Sequence, residues 1–281
     1  SNQLIQITGD LAFSEIENFN IFGGLALAGI TGIVVIGGLK RIAEVATFLV
    51  PLMGSIYFGA MLIALILNLD LVLPAFKLIL VDAFNGTAVA GGTFFGVLIY
   101  GVRRGAFSNE AGMGTESLVH GVAKVSNPVK QGLVAMTGPI FDTLIICTAT
   151  ALMILVSGVW ETSSSQGVTL TAEAFSNLLG NFGGLILFTC VICFGLSTIF
   201  TYSYYGASCS RFLFGNFGMK FYIYLYIFSI FIYSIVPIDI AINIADGAFA
   251  LMAIPTLISA LWLAPKVMQA SKNYFKLVDN I

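Results

Sequence analysis

Apolar runs long enough to cross a lipid bilayer recur along this chain, and few charges interrupt them. A hydrocarbon core is spanned by about 20 apolar helical residues. That template picks out residues 21–38, 50–68, 132–156, 179–205, 221–236 and 246–263. Two shorter apolar stretches, 91–100 and 107–123, flank Gly101-Val-Arg-Arg-Gly105. Only 9% of the 281 residues are charged, against roughly 25% in an ordinary soluble domain. So few charges could not keep a soluble surface dispersed. A soluble enzyme, a nucleic-acid binder and a disordered chain are therefore excluded. The expected fold class is an all-α integral membrane protein, a single transmembrane domain over residues 1–281.

Charge placement fixes the expected orientation, because Lys and Arg collect on the cytoplasmic side. Counting 91–123 as one interrupted crossing gives seven spans. Alternation then puts Lys40, Arg41, Lys124, Lys130, Arg211, Lys220, Lys266, Lys272 and Lys276 on one side, nine of the 12 basic residues. Glu15, Glu17, Asp70, Asp82, Glu161, Glu173 and Asp239 fall on the other. A different span count would scramble that separation. Residues 71–84 are short and amphipathic, with Asp70, Lys77 and Asp82, and are read as an interfacial or loop helix. Residues 159–175 are expected as an extracellular loop, and 264–281 as a cytoplasmic tail. No basic segment precedes an apolar stretch at the start, so no signal peptide is expected. Residues 1–13 read as the outer end of an eighth helix.

Cys147, Cys190, Cys193 and Cys209 lie in or beside apolar runs. The Cys190-Val-Ile-Cys193 spacing also suits a redox or metal pair, but within an apolar span it is read as two small helix residues, without a disulfide framework.

Polar groups inside a bilayer are expensive and mark function. The run from Arg103 to Gly114 separates two half-length apolar stretches, and its glycines at 101, 105, 112 and 114 permit conformations that a continuous helix excludes. We expect residues 91–123 to form a helix broken at mid-membrane, with Ser108 or Asn109 capping the second half and Glu110 in its first turn. Such a break is tolerated only in protein or beside a cavity, and its bare amides and carbonyls suit solute and ion. Asp142, mid-span, needs a partner: Arg103 or Arg104 would make a structural pair, or Asp142 and Thr143 would support a solute or cation site. Asp246 reads as interfacial. Ser197 and Thr198 suit a small dehydrated cation, with the carbonyl of Phe194 one turn earlier as a further oxygen. His120 reads as a hydrogen-bonded interfacial residue. No paired-carboxylate motif, histidine cluster or P-loop points to an enzyme.

The run Arg104-Gly-Ala-Phe-Ser-Asn-Glu-Ala-Gly-Met-Gly114 resembles the signature of the alanine or glycine:cation symporters, the sodium:alanine symporter family. Gly37-Gly-Leu-Lys-Arg-Ile42, Val50-Pro51, Pro128-Val-Lys-Gln-Gly132, Phe141-Asp-Thr143, Leu196-Ser-Thr198, Tyr204-Tyr-Gly206 and Asp246 followed by Leu251-Met-Ala-Ile-Pro255 support it in order. The resemblance implies part of a five-plus-five inverted-repeat transporter of the LeuT type, the amino acid–polyamine–organocation fold, of which this is a C-terminal portion. It implies a solute site at Gly105, Phe107, Ser108, Asn109 and Tyr202. It implies an incomplete Na⁺ shell at Phe194, Ser197 and Thr198, with Arg104, Glu110, Asp142 and Thr143 as supporting polar groups. Tyr202 stands where the family usually has Trp, and Thr256 where it usually has Asn.

The expected function is Na⁺-coupled symport of a small neutral amino acid, alanine or glycine, across the cell membrane by alternating access, with no cofactor beyond the coupling ion. One rival is H⁺ coupling through Asp142, or another solute. A second is a membrane-embedded transferase using Arg103, Arg104 and Glu110.

Overall fold

A computed structural model describes residues 1–12, 19–84 and 94–278, and these are mostly helical with no strand among them. The chain forms two compact units, one of Ser1–Val81 with Ala149–Ala241, the other of Asp82–Thr148 with Ile242–Ile281. Five helices among the described residues are long and apolar enough to cross a membrane.

In the first unit α1 (Asn2–Ala12), α2 (Phe19–Ile36), α3 (Gly38–Leu67) and α4 (Leu69–Phe84) follow in order. Most of α2 is Gly, Ala, Leu, Ile and Val, and its buried face carries Gly24, Leu27, Ala28, Thr31, Gly32 and Val35. That is the i, i+3, i+4 stripe of a helix packed on a neighbour. It ends where Gly38 adopts a left-handed φ of +79°. Arg41 then reaches back so that its Nη1 donates to the Ile33 carbonyl at 2.8 Å, a basic cap on the last turn. The apolar run expected from residue 50 is the later part of α3: the helix already starts at Gly38 and holds Pro51 inside it. The apolar core joins Ile5, Leu27, Val35, Ile42, Ile199, Phe200 and Ile230.

After the short helix α8 (Val159–Thr162) and α9 (Val168–Leu179), the element α10 runs from Asn181 to Ile235. As one rod, 55 residues would extend about 80 Å. It is not one rod. Gly215 has φ +67° and ψ −158°, a region essentially closed to other residues. Tyr226 OH donates to the Ile199 carbonyl at 2.7 Å, and Tyr222 fills the space where Gly206 would carry a Cβ. Residues 27 apart meet only because the helix doubles back at Gly215. The two apolar runs expected at 179–205 and 221–236 are thus antiparallel arms of a helical hairpin.

The second unit holds α5 (Phe94–Asn109), the six-residue α6 (Thr115–His120), the first part of α7 (Pro128–Ser157) and most of α11 (Ile238–Val278). Asn127 caps α7, its Oδ1 accepting the Val129 N–H at 2.9 Å, with Pro128 at the first helical position. The segment 264–281, expected as a tail, stays helical to Val278, with Pro255 and Pro265 inside the same helix.

Candidate functional site

The expected break lies later than the glycine spacing suggested. Gly101 and Gly105 sit inside the continuous helix α5, and so do Phe107, Ser108 and Asn109. Glycine permits a break without compelling one, and Arg104 stacks over the Tyr100 ring one turn earlier, 5.1 Å from its centroid. The chain leaves the helix at Glu110 (φ +55°), Gly112 (φ +81°) and Gly114 (φ +89°). Asn109 therefore does not cap the second half. Its Oδ1 accepts the Ala111 N–H at 3.0 Å and closes the first half. Glu110 lies in the break, and the acidic residue in the first turn of α6 is Glu116. The start of the expected broken helix, residues 91–93, lies outside the described residues.

The last turn of α5 faces α7 through polar contacts. Ser108 Oγ donates to Asp142 Oδ2 at 2.6 Å and lies 3.3 Å from Cys147 Sγ. Asn109 Nδ2 donates to Thr143 Oγ1 at 3.1 Å, and that hydroxyl donates to Asp142 Oδ2 at 3.2 Å. Asp142 and Thr143 sit in a π-helical stretch, Ile140–Cys147. The wider turn begins after Pro139, which lacks an N–H to continue the ladder, and Thr148 Oγ1 donates to the Thr143 carbonyl at 3.5 Å, five residues back. Such π segments concentrate at functional sites. The motif residues Ser108, Asn109, Asp142 and Thr143 thus form one connected cluster.

Asp142 pairs with neither arginine. Arg103 Nη1 and Arg104 Nη2 lie 3.6 and 3.7 Å from the same Oδ2 of Asp246, whose side chain is only 15% exposed. Asp246 is thus the half-buried counter-ion of both arginines. The arginines lie about one turn before Ser108 on the unbroken α5, within reach of Asp246 on α11, while Ser108 reaches Asp142 on α7. Phe107 packs edge-on against Phe249 of α11, centroids 4.9 Å apart, and Thr256 Oγ1 would stand 2.8 Å from a Cβ on Gly114. Gly105 faces open space. Cys147 and Phe249 were not foreseen, since an isolated thiol and a ring in an apolar run carry no signal of their own. His120 accepts from Gln131 Nε2 at Nδ1, 2.7 Å away, as an interfacial histidine would.

The other expected residues lie in the first unit, on the first arm of α10. Ser197 is buried, and its Oγ donates to the Phe194 carbonyl at 2.9 Å, while Thr201 Oγ1 donates to the Ser197 carbonyl at 2.9 Å. The Phe194 carbonyl is therefore engaged by Ser197 rather than free, although a carbonyl oxygen keeps a second lone pair. Thr198 is half-buried. Tyr202 packs on Tyr205, ring centroids 5.3 Å apart.

The pattern that defines the Sodium:alanine symporter family matches residues 2–280. The chain belongs to the sodium:alanine symporter family. It is 34% identical over 279 residues to the sodium/alanine symporter AgcS of Methanococcus maripaludis, a match covering 97% of this chain and 61% of that protein. It is 36% identical over 273 residues to an uncharacterized transporter of Bacillus subtilis, YflA, covering 94% and 58%. It is 33% identical over 275 residues to a probable sodium/glutamine symporter of the same bacterium, GlnT, covering 97% and 58%. The chain thus spans about three fifths of the length of these relatives. The family is one of transporters, not enzymes, and the apolar helices make this a multi-pass membrane protein. The transferase reading is overturned by that family membership.

Proposed function

We propose that the protein carries a small neutral amino acid, alanine or glycine, across the cell membrane together with Na⁺, by alternating access. The observation that carries this reading is the break at Glu110–Gly114 in a chain of this family. The last helical turn before it is tied through Ser108 and Asn109 to Asp142 and Thr143. A helix end inside the bilayer exposes backbone groups, and those are the groups that take the charged ends of an amino acid. In this reading Phe107 lies against the aliphatic part of the solute, while Gly105 leaves room beside it; Tyr202 is a solute contact on the family resemblance alone. Ser197, Thr198 and the Phe194 carbonyl contribute oxygens to Na⁺, a neutral set suited to a monovalent ion. Arg104, Glu110, Asp142 and Thr143 hold the surrounding polar frame. The hairpin at Gly215 and the break between α5 and α6 support a reading of seven crossings, arranged as part of the LeuT-type inverted repeat.

The test is uptake of labelled alanine into proteoliposomes holding the full-length protein, with and without a Na⁺ gradient. Uptake that rises with the gradient supports the reading. Absence of alanine and glycine uptake, or indifference to Na⁺, overturns it. Asp142 favours one second reading, H⁺ coupling, because a carboxylate within an apolar span is the residue type that proton relays use. Uptake driven by a pH gradient alone, and lost in Asp142→Asn, would select it.

A further inference from the structure

Helix α2 packs on the second arm of α10 along a face buried from Gly24 to Val35, and a groove opens on the exposed side beside that contact. At Gly24 a Cβ would overlap Ser234, whose Oγ lies 3.4 Å from the Asn20 carbonyl. Two turns further, at Gly32, a Cβ would meet only Ile227 Cδ1 at 3.6 Å, and at Gly29 nothing within 4 Å. The space so left is a groove of about 790 Å³, lined from Leu25 to Gly37 and closed on its far wall by Tyr224 and Ile227. It is apolar along its length and carries a single charge, Arg41, with no carboxylate in its lining.

The dimensions and the charge together select an occupant. Twelve helical residues from Leu25 to Gly37 rise about 18 Å, slightly more than half of a hydrocarbon core about 30 Å thick. The groove is as long as one leaflet is deep. Arg41 folds over Gly37, where a Cβ would stand 2.6 Å from its Cδ. Among the described residues Arg41 spends Nη1 on the Ile33 carbonyl, and a guanidinium has five N–H donors. The remainder point to a partner with several acceptor oxygens, and guanidinium matches phosphate in a two-pronged geometry. Arg41 stands on the side where the basic residues collect, the cytoplasmic face, whose leaflet is rich in anionic lipid. We propose that this groove is a binding site for one anionic phospholipid of the cytoplasmic leaflet, an acyl chain lying along Gly29 and Gly32 and the phosphate on Arg41.

The experiment is native mass spectrometry of the full-length protein, titrated with phosphatidylglycerol and phosphatidylcholine of identical acyl chains. The wild type should retain phosphatidylglycerol about fivefold more tightly, the value of one basic side chain at an anionic surface. Arg41→Gln should lower that to the phosphatidylcholine level, and Arg41→Lys should restore much of it. Gly29→Leu fills open space without touching a neighbour and should weaken both lipids. Gly29→Ala, adding one methyl group, serves the same purpose should the leucine variant fold poorly. Equal retention of the two lipids by the wild type overturns the proposal, as does retention unchanged by filling the groove. So does a dimer that the Gly29 variants convert to monomer, which would assign the groove to a second copy.

Discussion

At the scale of single residues, the Asp142 cluster and the Phe107 ring carry the sharpest consequences. Phe107 is 38% exposed while packing at a right angle to Phe249, so part of the ring is open to a solute. Phe107→Ala should weaken apparent solute affinity by about 1–3 kcal/mol, the value of a mostly buried aromatic contact. The half-saturation constant for alanine in the full-length protein measures it, and an unchanged constant removes Phe107 from the pocket. For the cation, Thr198→Ala deletes one hydroxyl oxygen and should raise the Na⁺ concentration needed for half-maximal uptake, whereas Thr198→Ser keeps it and should be nearly silent. Uptake against Na⁺ for both variants decides it, and identical behaviour of the two displaces the site. These residue types were legible from the signature run and the Ser-Thr pair. Their partners were not. Which carboxylate answers Arg103 and Arg104 depends on how far α5 continues, and a one-turn difference moves a side chain about 5 Å along the axis.

At the scale of elements, glycines at positive φ decide where helices stop. Gly114 has φ +89° and no room beside Thr256. Gly114→Ala should destabilise by about 1–2 kcal/mol from the left-handed backbone alone, and by more from the contact. Adding Thr256→Ala should recover only the contact part, a partition that thermal unfolding in detergent would read directly. Gly215→Ala should cost about 1–3 kcal/mol for the same backbone reason. Gly132→Ala, inside α7 with nothing near its Cβ, should be neutral or slightly stabilising. Equal effects at 132 and 215 would mean that the hairpin does not turn at Gly215. The sequence marked these glycines as permissive but could not rank them. Gly101 and Gly105 look the same in composition as Gly112 and Gly114, and the difference lies in the packing around each.

At the scale of the whole molecule, the fold-back of α10 bears on topology. Three crossings separate residue 164 from residue 271 when the two arms count separately, but two when they count as one. In a full-length variant with its native cysteines replaced, a cysteine at Ser164 should react with a membrane-impermeant thiol reagent from outside. One at Ser271 should react only after permeabilisation. Labelling of both from the same side would contradict the seven-span layout. The loop carrying Ser164 also has a pH signature. Hydrogen bonds from Ser163 and Ser165 hold the Glu173 carboxyl below its ordinary value of 4.5, Ser165 Oγ donating at 2.5 Å. A depressed folded-state value means stabilisation present above the unfolded value and lost as pH falls through the folded one. The thermal advantage of wild type over Glu173→Gln should therefore be modest at pH 7 and be lost as the pH falls through the depressed folded-state value. An advantage unchanged at low pH would show that the carboxylate charge is not what holds the loop.

Sequence by itself determined the solvent, the helical class, the polar places in an apolar chain and the family signature. Each follows from local quantities: the hydropathy of 20 consecutive residues, the side on which lysine and arginine collect, and the order of a short motif. Only the tertiary structure decided that α5 continues to Asn109, that Asp246 rather than Asp142 answers the arginines, and that Asn181–Ile235 is a hairpin. It also decided that a groove lies along the exposed side of α2 at Gly29, beside its contact with α10. Those outcomes rest on contacts between residues far apart in the chain, where a glycine or an arginine has several acceptable local states and the neighbouring helix selects one.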